Sequence, residues 1–495
     1  MDLAFLPAVA TAALVRAGEV SSRELVELQL ERIERLNRQL GAVVLVDVDG
    51  ARERAGAADA ALRSRRAVGP LHGVPITVKD ALATAGMRTT SGQPDRAGHV
   101  PDADAVAVAR LRSAGCVLVG KTNVPEGVTG QETANPLFGR TSNPWDPDRT
   151  PGGSSGGAAA ALAAGLTWLE IGSDMGGSIR QPAHCCGVFG HVPSHGLVPQ
   201  RGHLPSVPLH DRDGEQDLME VGPLARSAGD LRVALLAIAG PDDHEADAWR
   251  LALPGARADD LRSFRVGVWL DDPAAPSDAA VRAVQEDAVT ALEAAGAQLI
   301  RDARPAFSLA DAWRTAFALW VAASSDSTPE DEAAELAACA RALDPHDHTL
   351  RAQRIRAEAM AHRDWLARDG ERRTVARAFG ALFEDVDVLL CPVIGIEAPE
   401  HDQEPDEVAS VEHRLGRTID VDGRPRPYLE QLLWSTVVGM ARLPATALPV
   451  GRTRSGLPVA VQVVGRYLDD LTTLRFAELA AEALSDGERP PAFVD

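Results

Sequence analysis

Two Gly/Ser clusters bracket a run of alanines in residues 151–180, PGGSSGGAAAALAAGLTWLEIGSDMGGSIR. Glycines let backbone amides and short hydroxyls approach a ligand closely. A Gly-rich turn after a strand can aim several N–H groups the same way, the construction that holds a developing oxyanion. The second cluster, residues 172–178, follows the strand-like LEIG and centres on Ser178. A hydroxyl is a poor nucleophile at neutral pH and needs a base within hydrogen-bond reach. His184 and His191 are near in sequence but have no acidic partner at an informative spacing. Lys79 is the other candidate, because it ends the apolar run VPITV instead of decorating a helix face. Burial lowers a lysine from its reference pKa of about 10.4 and makes the amine basic. Taken alone, Lys79 also suits a salt bridge beside Asp80, and the first cluster also suits a tight turn.

Other formal motifs carry less. Residues 115–122, GCVLVGKT, match the phosphate-loop pattern and raise a nucleotide-binding alternative through Lys121 and Thr122. Context opposes it: a helix precedes the match, its middle is a β run, and Pro125 interrupts the following helix start. His184-Cys185-Cys186 cannot converge on one tetrahedral ion without severe bending, and His346-Asp347-His348 reads as a solvated helix cap. No metal site is expected.

The elements that must position these groups alternate. Ser21-Ser22-Arg23-Glu24 offers a capping box before LVELQLERIERLN, and helices dominate an N-terminal segment of about residues 1–65. Short strands are then expected at VPITVKD, CVLVGKT, LEIG, 264–270, 298–300, 386–391 and 459–464, separated by helices. This pattern predicts an α/β fold: one large domain with a central mixed β-sheet covered by helices on both faces. Residues 302–426 read as a helical, partly loop-rich elaboration that caps the site, with 392–426 as a loop or flap. In its first helix Trp313, Phe317 and Trp320 fall at i, i+4, i+7, a core stripe or an aromatic wall over a pocket, with Trp434 as a further candidate.

Composition excludes whole classes. A chain of 495 residues, 45 % hydrophobic and 24 % charged, can bury a large core. Its formal net charge of -21 disfavours nucleic acid and anionic membrane as partners. Five cysteines without disulfide or zinc-ligand spacing fit a reducing, cytoplasmic setting. No run approaches the roughly 18 apolar residues of a membrane span.

The sequence resembles the amidase signature enzymes. The resemblance rests on GPLHGVPITVKD (69–80), VGKTNVPE (119–126), NPWDPDRTPGGSSGG (143–157), GSDMGGSIRQPAHCCGVFG (172–190), GPLARS (222–227) and LPATALPVGRTRSGLPVAVQVVG (443–465). It implies a Ser-Ser-Lys site with Ser178 as nucleophile, Ser154 as bridging serine on a cis Gly153–Ser154 peptide, and Lys79 as general base. Backbone amides of Met175, Gly176, Gly177 and Ser178 would form the oxyanion hole, and Ser155, Asp174 and Arg180 would brace the loops. The implied activity is hydrolysis of an amide C–N bond through an acyl-enzyme, without metal or organic cofactor. The aromatic candidates point to an aryl or apolar small amide; a homodimer is allowed. Alternatives are a carbamate or ester hydrolase, the catalytic subunit of a tRNA-dependent amidotransferase, and a catalytically silent interaction subunit. The amidotransferase branch commonly reads GLKPTYG where this chain reads GHVPSHG (190–196), followed by LVPQRGHLP.

Overall fold

The computed structural model describes residues 2–204, 215–325, 328–404, 410–484 and 489–493. The chain begins with helices, as expected. Ser21 Oγ accepts the Glu24 N–H at 3.1 Å while Glu24 Oε2 accepts the Ser21 N–H at 2.8 Å, a reciprocal cap that starts the helix Ser22–Leu40. One strand interrupts the helical N-terminal segment: Val43–Val46 runs antiparallel to Val117–Thr122. On its other side Val117–Thr122 pairs in parallel with Pro75–Lys79, completing a three-stranded sheet.

The principal sheet has eight strands in the order Gln298–Arg301, Arg265–Val268, Val388–Pro392, Pro458–Val464, Ala445–Arg452, Phe189–Val192, Glu220–Ala225, Leu169–Asp174. The first two pairings are parallel and the rest antiparallel, so the sheet is mixed. Strand alternation sends successive side chains into different layers. Val459, Val461 and Val463 join a cluster with Val281, Leu292, Phe476 and Ala477, from the helices Ala279–Ala294 and Asp470–Leu484. Ala460 instead joins Ala159, Leu162, Ile179 and Ala183, in and beside the helices Gly156–Ala163 and Arg180–Cys186. Helices therefore cover both faces of a central mixed sheet.

The alanine run makes a helix whose every residue is buried, and small side chains are what permit this. At Gly157 a Cβ would stand 2.4 Å from the Asn123 nitrogen and 2.6 Å from its oxygen, so only glycine allows the helix to lie against that backbone. The region after residue 302 is helical, with Leu309–Ser324, Glu330–Ala342, Leu350–Glu358 and His362–Asp385. Residues 392–426 are less loop-like than expected. They hold a short helix, Val411–Gly416, and a hairpin of Thr418–Val421 with Arg424–Pro427, while 405–409 lie outside the described residues. The hairpin turns on Asp422 and Gly423, both at positive φ, the Asp-Gly geometry of a tight primed turn. No helix among the described residues is long and apolar enough to cross a membrane.

Two substitutions separate close packing from helix propensity. Gly157→Ala is expected to lower stability by about 1–3 kcal/mol through overpacking. Gly56→Ala, in an exposed helical position with nothing within 4 Å of the added methyl, is expected to raise it by up to about 1 kcal/mol. Denaturant unfolding of the two variants beside the parent protein measures both.

Candidate active site

The strand Pro75–Lys79 alternates between two environments. Ile76 and Val78 enter an apolar cluster with Leu82, Leu111 and Leu118, which leaves Thr77 and Lys79 facing the other way. There the small sheet abuts the edge strand Leu169–Asp174 of the large one: Thr77 N donates to Thr167 Oγ1 at 3.0 Å, and Thr77 Oγ1 to Glu170 Oε1. The ends of the two strands thus bring Lys79 beside Ser173. The first Gly/Ser cluster, leading into the helix Gly156–Ala163, supplies Ser154 and Ser155 to the same point.

Lys79 is fully buried and its Nζ stands 2.7 Å from Ser154 Oγ, 2.9 Å from Ser155 Oγ and 3.0 Å from Ser173 Oγ. Burial drives its pKa down to about 7, against the opposing pull of the Asp174 and Glu170 carboxyls. A fraction of the amine is therefore neutral at physiological pH and able to take a proton from Ser154. The Gly153–Ser154 peptide is cis. Ser178 is half-buried, and its carbonyl accepts the Ser155 N–H at 3.1 Å, which ties the two Gly/Ser clusters together. Ser154, Ser173, Gly176 and Ser178 all line one cavity of about 300 Å³.

Asp174 organises the second cluster. Its carboxylate accepts N–H groups from Gly177 at 2.7 Å, Ile179 at 3.0 Å and Arg180 at 3.3 Å, and binds the Arg180 guanidinium at 2.8 and 3.1 Å. Burial alone would raise the Asp174 pKa; the Arg180 charge and these hydrogen bonds outweigh it and hold the carboxyl below its ordinary value. Arg180 is fixed in turn by Ser435 O at 2.8 Å and Gln462 Oε1 at 3.0 Å. This network corrects the oxyanion expectation. Gly177 places its N–H on Asp174, at a φ of 124° that glycine tolerates, so of the four amides expected to face an oxyanion this one is already engaged.

The aromatic candidates divide. Phe317 and Trp320 line the cavity, and a Cβ built on Gly176 would lie 3.4 Å from Trp320 Nε1, so the indole sits over the glycine loop. Trp313 does not reach it. A rise of about 1.5 Å per residue carries it roughly 10 Å along the helix from Trp320, where it borders a separate depression with Ala310 and Leu433. Trp434 also lies away from the cavity, edge-on to Trp269 at 4.9 Å with its Nε1 donating to Ala275 O at 3.2 Å. Two residues on, about 200° around the helix, Thr436 is the one that reaches the loop, donating to Gly176 O at 3.3 Å.

Sequence reasoning missed several groups. Ser173 bridges Lys79 and His203, whose Nε2 lies 2.8 Å from Ser173 Oγ; burial lowers the His203 pKa to about 3, aided by the Lys79 charge, so the ring is neutral. Both were within reach, Ser173 inside the second Gly/Ser cluster and His203 inside LVPQRGHLP. Arg354, Glu358 and Arg414 also line the cavity; the first two had no signal beyond a polar helical region, and Arg414 none beyond the segment expected to be a loop or flap. Lys121, from the formal phosphate-loop match, is buried with its ammonium on Leu82 O and, at 2.8 Å, on Thr84 Oγ1, inside a β-strand.

The Amidase family pattern matches residues 24–474, nearly the whole chain. The chain belongs to the amidase family. Among its relatives is a glutamyl-tRNA(Gln) amidotransferase subunit from Synechococcus sp. (strain CC9902), 34 % identical with 96 % of each chain covered. Similar solved structures include 6-aminohexanoate cyclic dimer hydrolase, at 29 % identity, 99 % coverage of each chain and a TM-score of 0.78. Another is the inhibitor-bound vestigial complex connected with the origin of an s-triazine catabolic enzyme, at 28 % identity, 96 % and 98 % coverage and a TM-score of 0.78. Amidase family membership makes this chain an enzyme of amide C–N bonds; segments 143–157 and 172–190 contribute residues to the cavity wall, and 69–80 supplies Lys79, which contacts Ser154.

Arg180→Met would leave the Asp174 carboxylate buried without its cation. Unfolding measurements are expected to show a loss of about 3–5 kcal/mol, the cost of breaking a buried ion pair by removing one partner.

Proposed function

We propose that the protein is a serine amidohydrolase that cleaves a small carboxylic amide through an acyl-enzyme on Ser178. The observation that carries this reading is the 2.7 Å contact between Ser154 and a fully buried lysine whose pKa falls to about 7. Neutral Lys79 takes the Ser154 proton, Ser154 takes the Ser178 proton, and Ser178 Oγ bonds to the amide carbon while the carbonyl electron pair moves onto oxygen. The Met175, Gly176 and Ser178 amides stabilise that oxyanion without reorganising. Collapse breaks the C–N bond, and the leaving nitrogen receives the proton held by Lys79, returned through Ser154. Water activated by the same route then splits the acyl ester, giving carboxylate and regenerating Ser178. Ser155 and Ser173 hold the lysine in place, and the Asp174–Arg180 pair holds the loop that carries Ser178.

The cavity wall favours an apolar or aryl group beside the amide. Met175, Met219, Phe317, Trp320, Leu429 and Leu432 face it, and its volume of about 300 Å³ is at the small end for ligand sites. A second reading, a role within a tRNA-dependent amidotransferase, is favoured by the 34 % identity to the Synechococcus protein over 96 % of each chain. Against it stands GHVPSHG in place of GLKPTYG, with His203 of the following segment beside the site. Both readings share amide cleavage at Ser178 and differ in substrate.

Ser178→Ala is expected to abolish turnover, and Lys79→Ala to reduce it by at least about a hundredfold. A panel of glutamine, short aliphatic amides, anilides and carbamates, assayed with the parent protein and both variants, checks this. Anilide turnover lost in Ser178→Ala supports the hydrolase, a preference for glutamine supports the amidotransferase reading, and hydrolysis retained by Ser178→Ala rules out the assigned nucleophile.

A further inference from the structure

Among the described residues, one cation at the cavity has no counterpart. Arg414 is the buried residue of the short helix Val411–Gly416, only 6 % exposed, and it lines the same cavity as Ser154 and Ser178. Its guanidinium makes no hydrogen bond or ion pair with any described residue. A guanidinium carries five N–H donors and is essentially always charged, so one taken out of water is ordinarily paired.

The surrounding groups do not supply the pair. Arg354, also on the cavity wall, is a second cation; its Nε binds Glu358 Oε1 at 2.8 Å and its Nη1 binds Glu412 Oε1 at 2.9 Å. Glu358 Oε2, buried, makes no hydrogen bond to Arg414 or to any other described residue. The neighbouring Tyr428 phenol is pushed by burial up to about 12 and stays neutral, and Arg417, stacked 4.2 Å over its ring, is paired with Asp402 at 2.7 Å. Among the described residues, the neighbouring charge that acts on Arg414 at neutral pH, that of Arg354, opposes it. The remaining walls contributed by Leu415, Leu429 and Leu432 are apolar.

We propose that Arg414 is an anion subsite of the substrate cavity, and that the preferred amide carries a carboxylate which this guanidinium holds while the scissile bond lies at Ser178. A planar fork of donors facing a cavity suits a bidentate carboxylate, and the apolar walls between accept the chain or ring that joins the two ends. The assignment rests on the amidohydrolase reading of the site and narrows it to amides of acids, or of amines, that bear a second, anionic group.

The test uses two matched probe pairs: glutaryl 4-nitroanilide against its methyl ester, and 4-acetamidobenzoate against its methyl ester, which place the carboxylate on the acyl or the amine side. In at least one pair the parent protein is expected to favour the acid by about thirtyfold or more in kcat/KM, the effect of one charge-assisted, bidentate hydrogen-bonded pair. Arg414→Gln is expected to bring that ratio to about threefold or less, with Arg414→Lys intermediate. Binding of the same probes to the Ser178→Ala protein, followed by calorimetry, reads the subsite without turnover, and there too the acid is expected to bind at least about tenfold tighter than its ester. Equal handling of acid and ester in both pairs by the parent protein, or a preference that survives Arg414→Gln, overturns the proposal. No turnover together with a clear binding preference for the acid would uphold the subsite and overturn the hydrolase reading.

Discussion

The site depends on one constraint: a lysine amine must sit dry at the junction of two sheets. The small sheet delivers Lys79 at the end of Pro75–Lys79, and the edge of the large sheet closes over it with Ser173 and Asp174. Desolvation outweighs the two carboxyls that would keep the ammonium charged, and the amine becomes a base at ordinary pH. A lysine on an exposed strand end would have kept its proton, and the serines beside it would have had nothing to give theirs to.

The Gly/Ser clusters are the means of packing this junction tightly. Gly157 lets an alanine-rich helix touch the Asn123 backbone, which draws Ser154 and Ser155 onto the lysine. Gly177 lets the chain turn so that Asp174 can gather three amides and Arg180. Neither cluster is a linker; each is a place where side chains are absent because backbone must approach backbone. The two parts of the site differ in kind. Around Lys79 and Asp174 the charges have partners, whereas the wall formed by Leu350–Glu358 and Val411–Gly416 holds a guanidinium that no described residue pairs.

Much of this was legible in the sequence for a physical reason. Close backbone approach demands glycine, and a lysine ending an apolar strand stands out, so Lys79, Ser178 and the first Gly/Ser cluster could be singled out, and the resemblance named Ser154 within that cluster and joined them. The mixed sheet followed from strands interleaved with helices, although Val43–Val46, Phe189–Val192, Glu220–Ala225 and Ala445–Arg452 carried too weak a pattern to be placed. What escaped depends on three-dimensional reach. Helical spacing put Trp313, Phe317 and Trp320 on one stripe but could not say where along it the cavity ends. Counting amides along the second cluster could not reveal that Asp174 takes the one from Gly177. Arg354 looked like an ordinary polar residue of a solvated helical region and Arg414 like one of a loop or flap, since only the packing of separate elements shows which cation faces inward.

The central claim is that a neutral Lys79 activates Ser178 through Ser154, and the most direct measurement is the rate at which a fluorophosphonate labels the protein as a function of pH, with the modified residue located by mass spectrometry. The account predicts a single adduct on Ser178, formed at a rate that rises with a midpoint near 7 as Lys79 loses its proton and then levels off. Labelling at another residue, or a rate on Ser178 that is the same on both sides of that midpoint, would contradict it.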